Sequence, residues 1–469
     1  MTDILTLTAL EQSDALARRT LSAAELMHAA LRRIDHVNTT VNAVVSLRDA
    51  DALLAEAKQA DDSPRRGWLH GIPIAIKDLA NAAGLPTSMG SPLFAGQIAA
   101  ADDIMVSRLR AAGAIVIGKT NTPEFGLGSH SYNPVHGITL NPYAPGVSAG
   151  GSSGGAAAAL ATGMLSVADG SDMMGSLRNP AGWNNVYGMR PSWGVVPSEP
   201  AGDSFLHQLA TNGPMARSPR DLAALLDTMA GPDPRQPHGL RQAAALPQMK
   251  ASLAGARIGY LGDWGGAYPF APGIDVATRG ALAIMADLGA QVTDVAPPVD
   301  RDMLWEAWTT LRSWQVASGL SALYAAHPED LKPAAVWEIE RGLRYSAADV
   351  HHASVHRSQA FAAAARLFEE YDALALPTAQ LWPFDAAMDW PREIAGQAMD
   401  TYHRWMEVVV FASLLGLPVV AVPGGFGGPD DLPFGLQLIG PRGSDARLLR
   451  LAEGWHQATD WPTARRPQI

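Results

Sequence analysis

Apolar residues recur at two different periods along this chain, and the change of period predicts its elements. Between residues 8 and 60 the period is helical. Leu26, Ala30, Leu31 and Ile34 return at three- and four-residue steps, the spacing of one helix face. Thr8-Ala9-Leu10-Glu11 and Ser22-Ala23-Ala24-Glu25 have the form of capping boxes, in which hydroxyl and carboxylate each satisfy an orphan backbone donor. These segments read as packing helices.

From residue 70 short apolar runs take over. Gly71–Lys77, Ala114–Gly118, Leu165–Ala168, Ala256–Leu261 and Ala373–Leu376 read as strands, with a helix-like stretch at 103–112. Strands of this kind alternating with helices indicate an α/β fold whose sheet is largely covered. Residues 231–248, rich in Pro, Gly and polar groups, read as a surface crossing. Residues 301–369 read as mainly helical, and the proline-bearing 377–398 as a mobile loop. No internal repeat is present, and the alanine-rich runs are helical composition.

Composition narrows the function classes. The chain has 469 residues, 47% hydrophobic and 17% charged, which is globular composition with chain enough for a large core. No linker divides it. The net charge of −11, without a dense Lys/Arg run, argues against a nucleic-acid surface. The absence of cysteine excludes disulfides, thiolate catalysis, zinc-thiolate sites and iron–sulfur clusters. The N-terminal stretch lacks a basic start followed by a long apolar run, and no uncharged apolar stretch is long enough to span a bilayer. A cytoplasmic protein with no membrane segment is expected.

One stretch carries chemistry. Gly150-Gly-Ser152-Ser153-Gly154-Gly155 precedes a run of small residues at 156–161 that can form a tightly packed helix, with Gly163 placed to end it. The strand at 165–168 then returns the chain, so that Ser176, 24 positions after Ser152, can lie beside it. A flexible Gly/Ser linker fits poorly, because helix and strand patterns follow at once. A phosphate loop lacks its Gly-Lys-Ser/Thr ending. The serious rival is a nucleophile elbow: Gly150–Gly154 matches G-x-S-x-G, which would make Ser152 the nucleophile, served by His356, His403 or His456.

The whole pattern resembles the amidase signature family. The resemblance rests on GGSSGG and the Asp172-x-x-Gly175-Ser176-x-Arg178 setting, but extends further. His70–Asp78 resembles the family's lysine segment and Gly118–Phe125 its K-T-N-x-x-E-F segment. Gly416–Pro423 and Pro433–Gly440 resemble its C-terminal strands. The resemblance implies one domain with a mixed, mainly parallel sheet covered by helices on both faces. Within it fall an N-terminal helical segment (1–65), a catalytic core (66–230), a substrate-shaping insert (231–410) and C-terminal strands with a helix (411–469).

The same resemblance implies the site. Ser176 is the nucleophile, Ser152, with a cis peptide, the bridging serine, and Lys77 the base. Backbone N–H groups of Met173, Met174, Gly175 and Ser176 form the oxyanion hole. Ser153, Asp172 and Arg178 support the loop, and Met174 and Asn179 face substrate. No metal and no cofactor are implied. Bland readings are preferred elsewhere: Lys119 serves structure, and His351-His352 is a solvated helix face. The family usually has two glycines before the nucleophile, whereas this chain has Met174-Gly175. A methionine there is expected to narrow the acyl pocket, and activity is expected because all three catalytic positions are retained.

The implied activity is hydrolysis of an amide-type bond, in amides, aryl amides or carbamates and by extension esters, through a seryl acyl-enzyme. The alternatives are a catalytically dead amidase-fold binding protein and a glutamine-hydrolysing amidotransferase subunit. Thirteen tryptophans, several at 305–337 and 382–405, point to an apolar or aromatic small-molecule substrate. A monomer or homodimer is expected.

Overall fold

The computed structural model describes residues 4–469; the first three residues of the N-terminal segment lie outside the described residues. Both predicted capping boxes are formed. Thr8 and Ser22 accept from the N–H of Glu11 and Glu25, whose carboxylates accept in return, and the helices Ala9–Ala17 and Ala23–Val41 follow. A third helix, Ala50–Asp61, completes the N-terminal segment. Its Asp61 accepts from the N–H groups of Ala23 and Ala24, so one helix end caps another.

The core is an eight-stranded mixed sheet. From one edge its strands are Gln291–Asp294, Arg257–Tyr260, Ala373–Pro377, Leu432–Ile439, Val419–Gly427, Tyr187–Arg190, Thr211–Ala216 and Val167–Asp172. Ala373–Pro377 and Leu432–Ile439 are buried at every position. Successive side chains point to opposite faces, so both faces there are covered. The expectation of a mainly parallel sheet is corrected: only the first two pairings are parallel, and the remaining five are antiparallel. The reason is local connection. Val419–Gly427 and Leu432–Ile439 are joined by a short turn, which permits antiparallel pairing only.

A second, three-stranded sheet carries Val44–Val45, Ile115–Thr120 and Pro73–Lys77. Its last strand ends against the edge strand Val167–Asp172, where the Lys77 N–H donates to Asp169 Oδ1 at 3.0 Å. The 165–168 strand prediction is thus shifted and extended: the strand runs to Asp172 and delivers the chain directly to the 173–176 turn.

The 377–398 segment is not a free loop in its first half. Residues 377–386 are buried apart from Asp385. Trp382 Nε1 donates to the Pro272 carbonyl, and the Phe384 carbonyl accepts from Ser148 N–H. The prolines suggested irregular backbone correctly, but Leu381, Trp382 and Phe384 are large apolar side chains that gain by burial. Among the described residues no helix is long and apolar enough to cross a membrane.

The turn after residue 176 rests against the sheet at Gly188. A Cβ there would lie 1.9 Å from the Leu177 carbonyl oxygen, a backbone atom that cannot swing away. Gly188→Ala is expected to cost about 1–3 kcal/mol through overpacking. Urea unfolding checks this: the midpoint should fall at unchanged slope, and an unchanged midpoint would show that the turn yields freely.

Candidate active site

Three segments converge at the junction of the two sheets. The first supplies Lys77 at the end of its strand. The side chain is 1% exposed. Its ammonium nitrogen is surrounded by hydroxyls: Nζ lies 2.7 Å from Ser152 Oγ, 2.9 Å from Ser153 Oγ and 3.1 Å from Ser171 Oγ. No acidic side chain lies within 4 Å of Nζ among the described residues. Burial therefore dominates and pushes the lysine down to about 7, against the pull of Asp169 and Asp172.

The second segment is the glycine-rich loop. The Gly151–Ser152 peptide is cis. Beyond Ser153 the buried helix Gly154–Ala161 begins, and Gly163, in the left-handed region, follows its end as expected.

The third segment is the turn 173–176. The Ser153 N–H donates to the Ser176 carbonyl at 3.3 Å, so the helix and strand between them do bring the two serine segments together. Asp172 organises this turn. Its carboxylate accepts from the N–H groups of Gly175 (2.9 Å) and Leu177 (3.1 Å) and from Arg178 Nε (2.9 Å) and Nη2 (3.0 Å). Arg190 adds a further contact from Nη1 at 3.2 Å. Burial alone would raise the Asp172 carboxyl, but the two guanidinium groups outweigh it and hold the group well below the usual range. Arg178 also reaches the Val409 carbonyl, Gln437 Oε1 and Ser413 Oγ, tying the turn to the helical segment 404–415 and to the strand Leu432–Ile439.

One expected donor is not free. The Gly175 N–H is bound by Asp172, so it is not available to an oxyanion in this geometry. Three N–H groups, of Met173, Met174 and Ser176, are paired with no acceptor among the described residues. The positive φ of the turn falls at Gly175 (81°), where a side chain would also strike Val409; Met174 has no such φ. This is why a methionine fits at 174 where the usual glycine is missing: only the second position needs one.

Met174 is a buried side chain. It is 3% exposed and packs in an apolar cluster with Trp183, Trp405, Met406 and Val409. Asn179 is buried as well. Its Oδ1 lies 2.9 Å from Ser129 Oγ, and its Nδ2 has no acceptor among the described residues.

Ser153 touches Lys77 as its supporting reading requires. Lys119 is buried, donating to the Ala80 carbonyl and Thr87 Oγ1. His351 and His352 are exposed on the helix Ala347–Glu370. The elbow reading lacks its histidine: His403 stacks among Trp305, Trp337 and Tyr402 with both ring nitrogens unpartnered, and His456 faces Tyr187. Neither they nor His356 bond to Ser152. Sequence reasoning missed Asp169, Ser171 and Arg190. Asp169 is fully buried and pushed up to about 6 by that burial. A charge inside the apolar 165–172 run was the available signal.

Met174→Gly is expected to cost about 2–5 kcal/mol, the range for emptying a buried methionine site. Thermal and urea unfolding of the variant measure it. A variant as stable as the parent would show that Met174 is loosely held.

Comparison with known proteins supplies the family. The Amidase family model matches residues 25–449. An acylamidase of Rhodococcus erythropolis is 32% identical over 97% of this chain and 96% of its own length. A glutamyl-tRNA(Gln) amidotransferase subunit of Thermus thermophilus is 35% identical, over 95% of each chain. Among solved structures, a bacterial aryl acylamidase of the amidase signature family superposes with a TM-score of 0.90 at 26% identity, covering 98% of this chain and 99% of its own. The chain belongs to the amidase signature family and is an amide hydrolase.

Proposed function

We propose that this protein is a stand-alone amidase acting on amides of apolar or aromatic character through a seryl acyl-enzyme. Ser176 is the nucleophile, Ser152 the proton relay and Lys77 the general base. The observation that carries this reading is the buried Lys77 amine 2.7 Å from the Ser152 hydroxyl. A serine hydroxyl needs a base within hydrogen-bond reach, and a lysine is a base only when neutral. In water about one lysine in 2,500 is neutral at pH 7; at a value of about 7, about half are.

The cycle follows from that pairing. Ser176 Oγ attacks the substrate carbonyl while its proton passes through Ser152 to Lys77. The tetrahedral oxyanion is held by the N–H groups of Met173, Met174 and Ser176, each worth about 2.7–4 kcal/mol to the transition state. The proton returns through Ser152 to the leaving nitrogen, and that amine departs. Water then attacks the acyl-enzyme by the reverse relay and releases the acid. The Asp172 carboxylate keeps the turn in shape throughout, since it stays ionised between Arg178 and Arg190.

Sequence identity is similar to the acylamidase and to the amidotransferase subunit, and the support for amides over glutamine is the closer superposition on the aryl acylamidase structure, with a TM-score of 0.90 against 0.79 for an amidotransferase subunit of Thermotoga maritima. Carbamates and esters present the same carbonyl to Ser176 and fall within the same chemistry. Ser176→Ala should lose at least about 10³-fold in kcat/KM on anilides and aliphatic amides without loss of fold, and a fluorophosphonate should label Ser176 in the parent chain. Label on Ser152 instead, or cleavage of glutamine alone, would overturn the proposal.

A further inference from the structure

Beside the serine–lysine centre lies a cavity of about 270 Å³. The segment 127–130 lines it and touches the glycine-rich loop. Ser129 Oγ donates to the Gly151 carbonyl at 2.5 Å, the carbonyl of the peptide leading into Ser152. A Cβ placed on neighbouring Gly126 would lie 3.5 Å from Ser152 Oγ. The cavity therefore adjoins, through Ser129, the loop that carries the relay serine.

Its walls are aromatic. Tyr132, Trp337, Trp390 and Tyr402 line it, with Trp337 and Tyr402 edge to face at 6.1 Å. Such walls accept a planar ring, whose faces and edges both find complementary charge. Tyr402 is fixed: its hydroxyl lies 2.7 Å from both Arg312 Nη2 and Glu338 Oε1. Arg312 also reaches Met173 Sδ at 3.1 Å, which links the wall to the 173–176 turn.

Three charged side chains line the cavity, Asp389, Asp400 and Lys332. Asp389 is engaged by Arg392 through both carboxylate oxygens, at 2.9 and 3.0 Å. Asp400 is 64% exposed and screened by solvent, with Arg404, itself held at 3.0 Å by Glu407, 3.9 Å away. Lys332 has no such partner among the described residues: Nζ donates to the Leu127 carbonyl at 2.5 Å and makes no ion pair within 4 Å. Glu124, the acid whose charge favours the Lys332 ammonium, makes no ion pair with it within 4 Å and is itself buried and pushed upward by that burial. Burial also pushes Lys332 down to about 7, a cost that an incoming anion would relieve. One ammonium with unused donors thus faces an aromatic slot.

We propose that this cavity takes an aromatic ring bearing a carboxylate or comparable anionic substituent, with Lys332 as the selecting residue. The substrate class is then an aryl amide with an acidic group on the ring. This rests on the amidase reading above and adds charge selection to it. A charge-assisted hydrogen bond from a half-buried lysine is strong enough to set preference, because its loss leaves a carboxylate unpaired in an apolar slot.

The test uses the full chain carrying Ser176→Ala, so that binding is read without turnover. Tryptophan fluorescence is titrated with 4-acetamidobenzoate and with neutral acetanilide. The expected result is tighter binding of the carboxylate by about tenfold or more. Lys332→Met should abolish that preference while acetanilide affinity changes by less than about threefold, and Lys332→Arg should keep part of it. The ratio between two probes on one variant is insensitive to general damage. Equal binding of both probes, or a preference that survives Lys332→Met, overturns the proposal. Hydrolysis by the parent chain is read separately. Acetanilide cleaved without any anion preference leaves the amidase reading standing and removes this one. A Lys332-dependent preference without cleavage of any amide does the reverse.

Discussion

The arrangement depends on taking one lysine out of water without giving it a counter-ion. Lys77 is buried at the seam between two sheets, and what meets its Nζ is hydroxyl oxygen from Ser152, Ser153 and Ser171. Hydroxyls can accept from an ammonium or donate to an amine, so they satisfy either protonation state. A carboxylate at the same distance would have fixed the charged form. The nearest acids are instead turned elsewhere. Asp169 accepts from the Lys77 backbone N–H, and Asp172 is claimed by two arginines.

The second constraint is the shape of the 173–176 turn. Asp172 grips Gly175 and Leu177 by their N–H groups, and Arg178 carries that grip onward to Val409, Ser413 and Gln437. The turn is therefore held from the far end of the sequence. The same network uses up the Gly175 N–H and leaves those of Met173, Met174 and Ser176, so rigidity is gained at the expense of one potential donor. Arg312, through Met173, brings the helix Arg301–Ala326 into contact with the same turn.

Much of this was legible in the residues, for identifiable reasons. The capping boxes at Thr8 and Ser22 and the helix after Ser153 are local, and local rules found them. The proximity of Ser152 and Ser176 followed from the length of the intervening helix and strand. Sheet direction was not legible: whether two apolar strands pair parallel or antiparallel depends on connections that periodicity does not encode. The burial of Met174 was not legible either, because the apolar cluster it joins, with Trp183 and Trp405, draws on residues from elsewhere in the chain. Arg190 and Ser129 lay in segments with no motif of their own, and only long-range packing gives them their places. Lys332 was equally silent, an ordinary residue before a proline until the Leu127 carbonyl and the aromatic walls surround it.

The central claim is that Lys77 exchanges its proton near neutrality, and direct observation of that lysine decides it. The chain contains five lysines, so carbon labelling at Cε gives few resonances, and the Lys77 signal is identified by its loss in Lys77→Arg. Burial lowers its folded-state value, so the amine should lose its proton as pH rises through about 7. A titration centred there means that a large fraction is neutral and able to accept the Ser176 proton at physiological pH. A Lys77 resonance that stays in the ammonium position until about pH 10.4, the value of a lysine in water, would contradict the account.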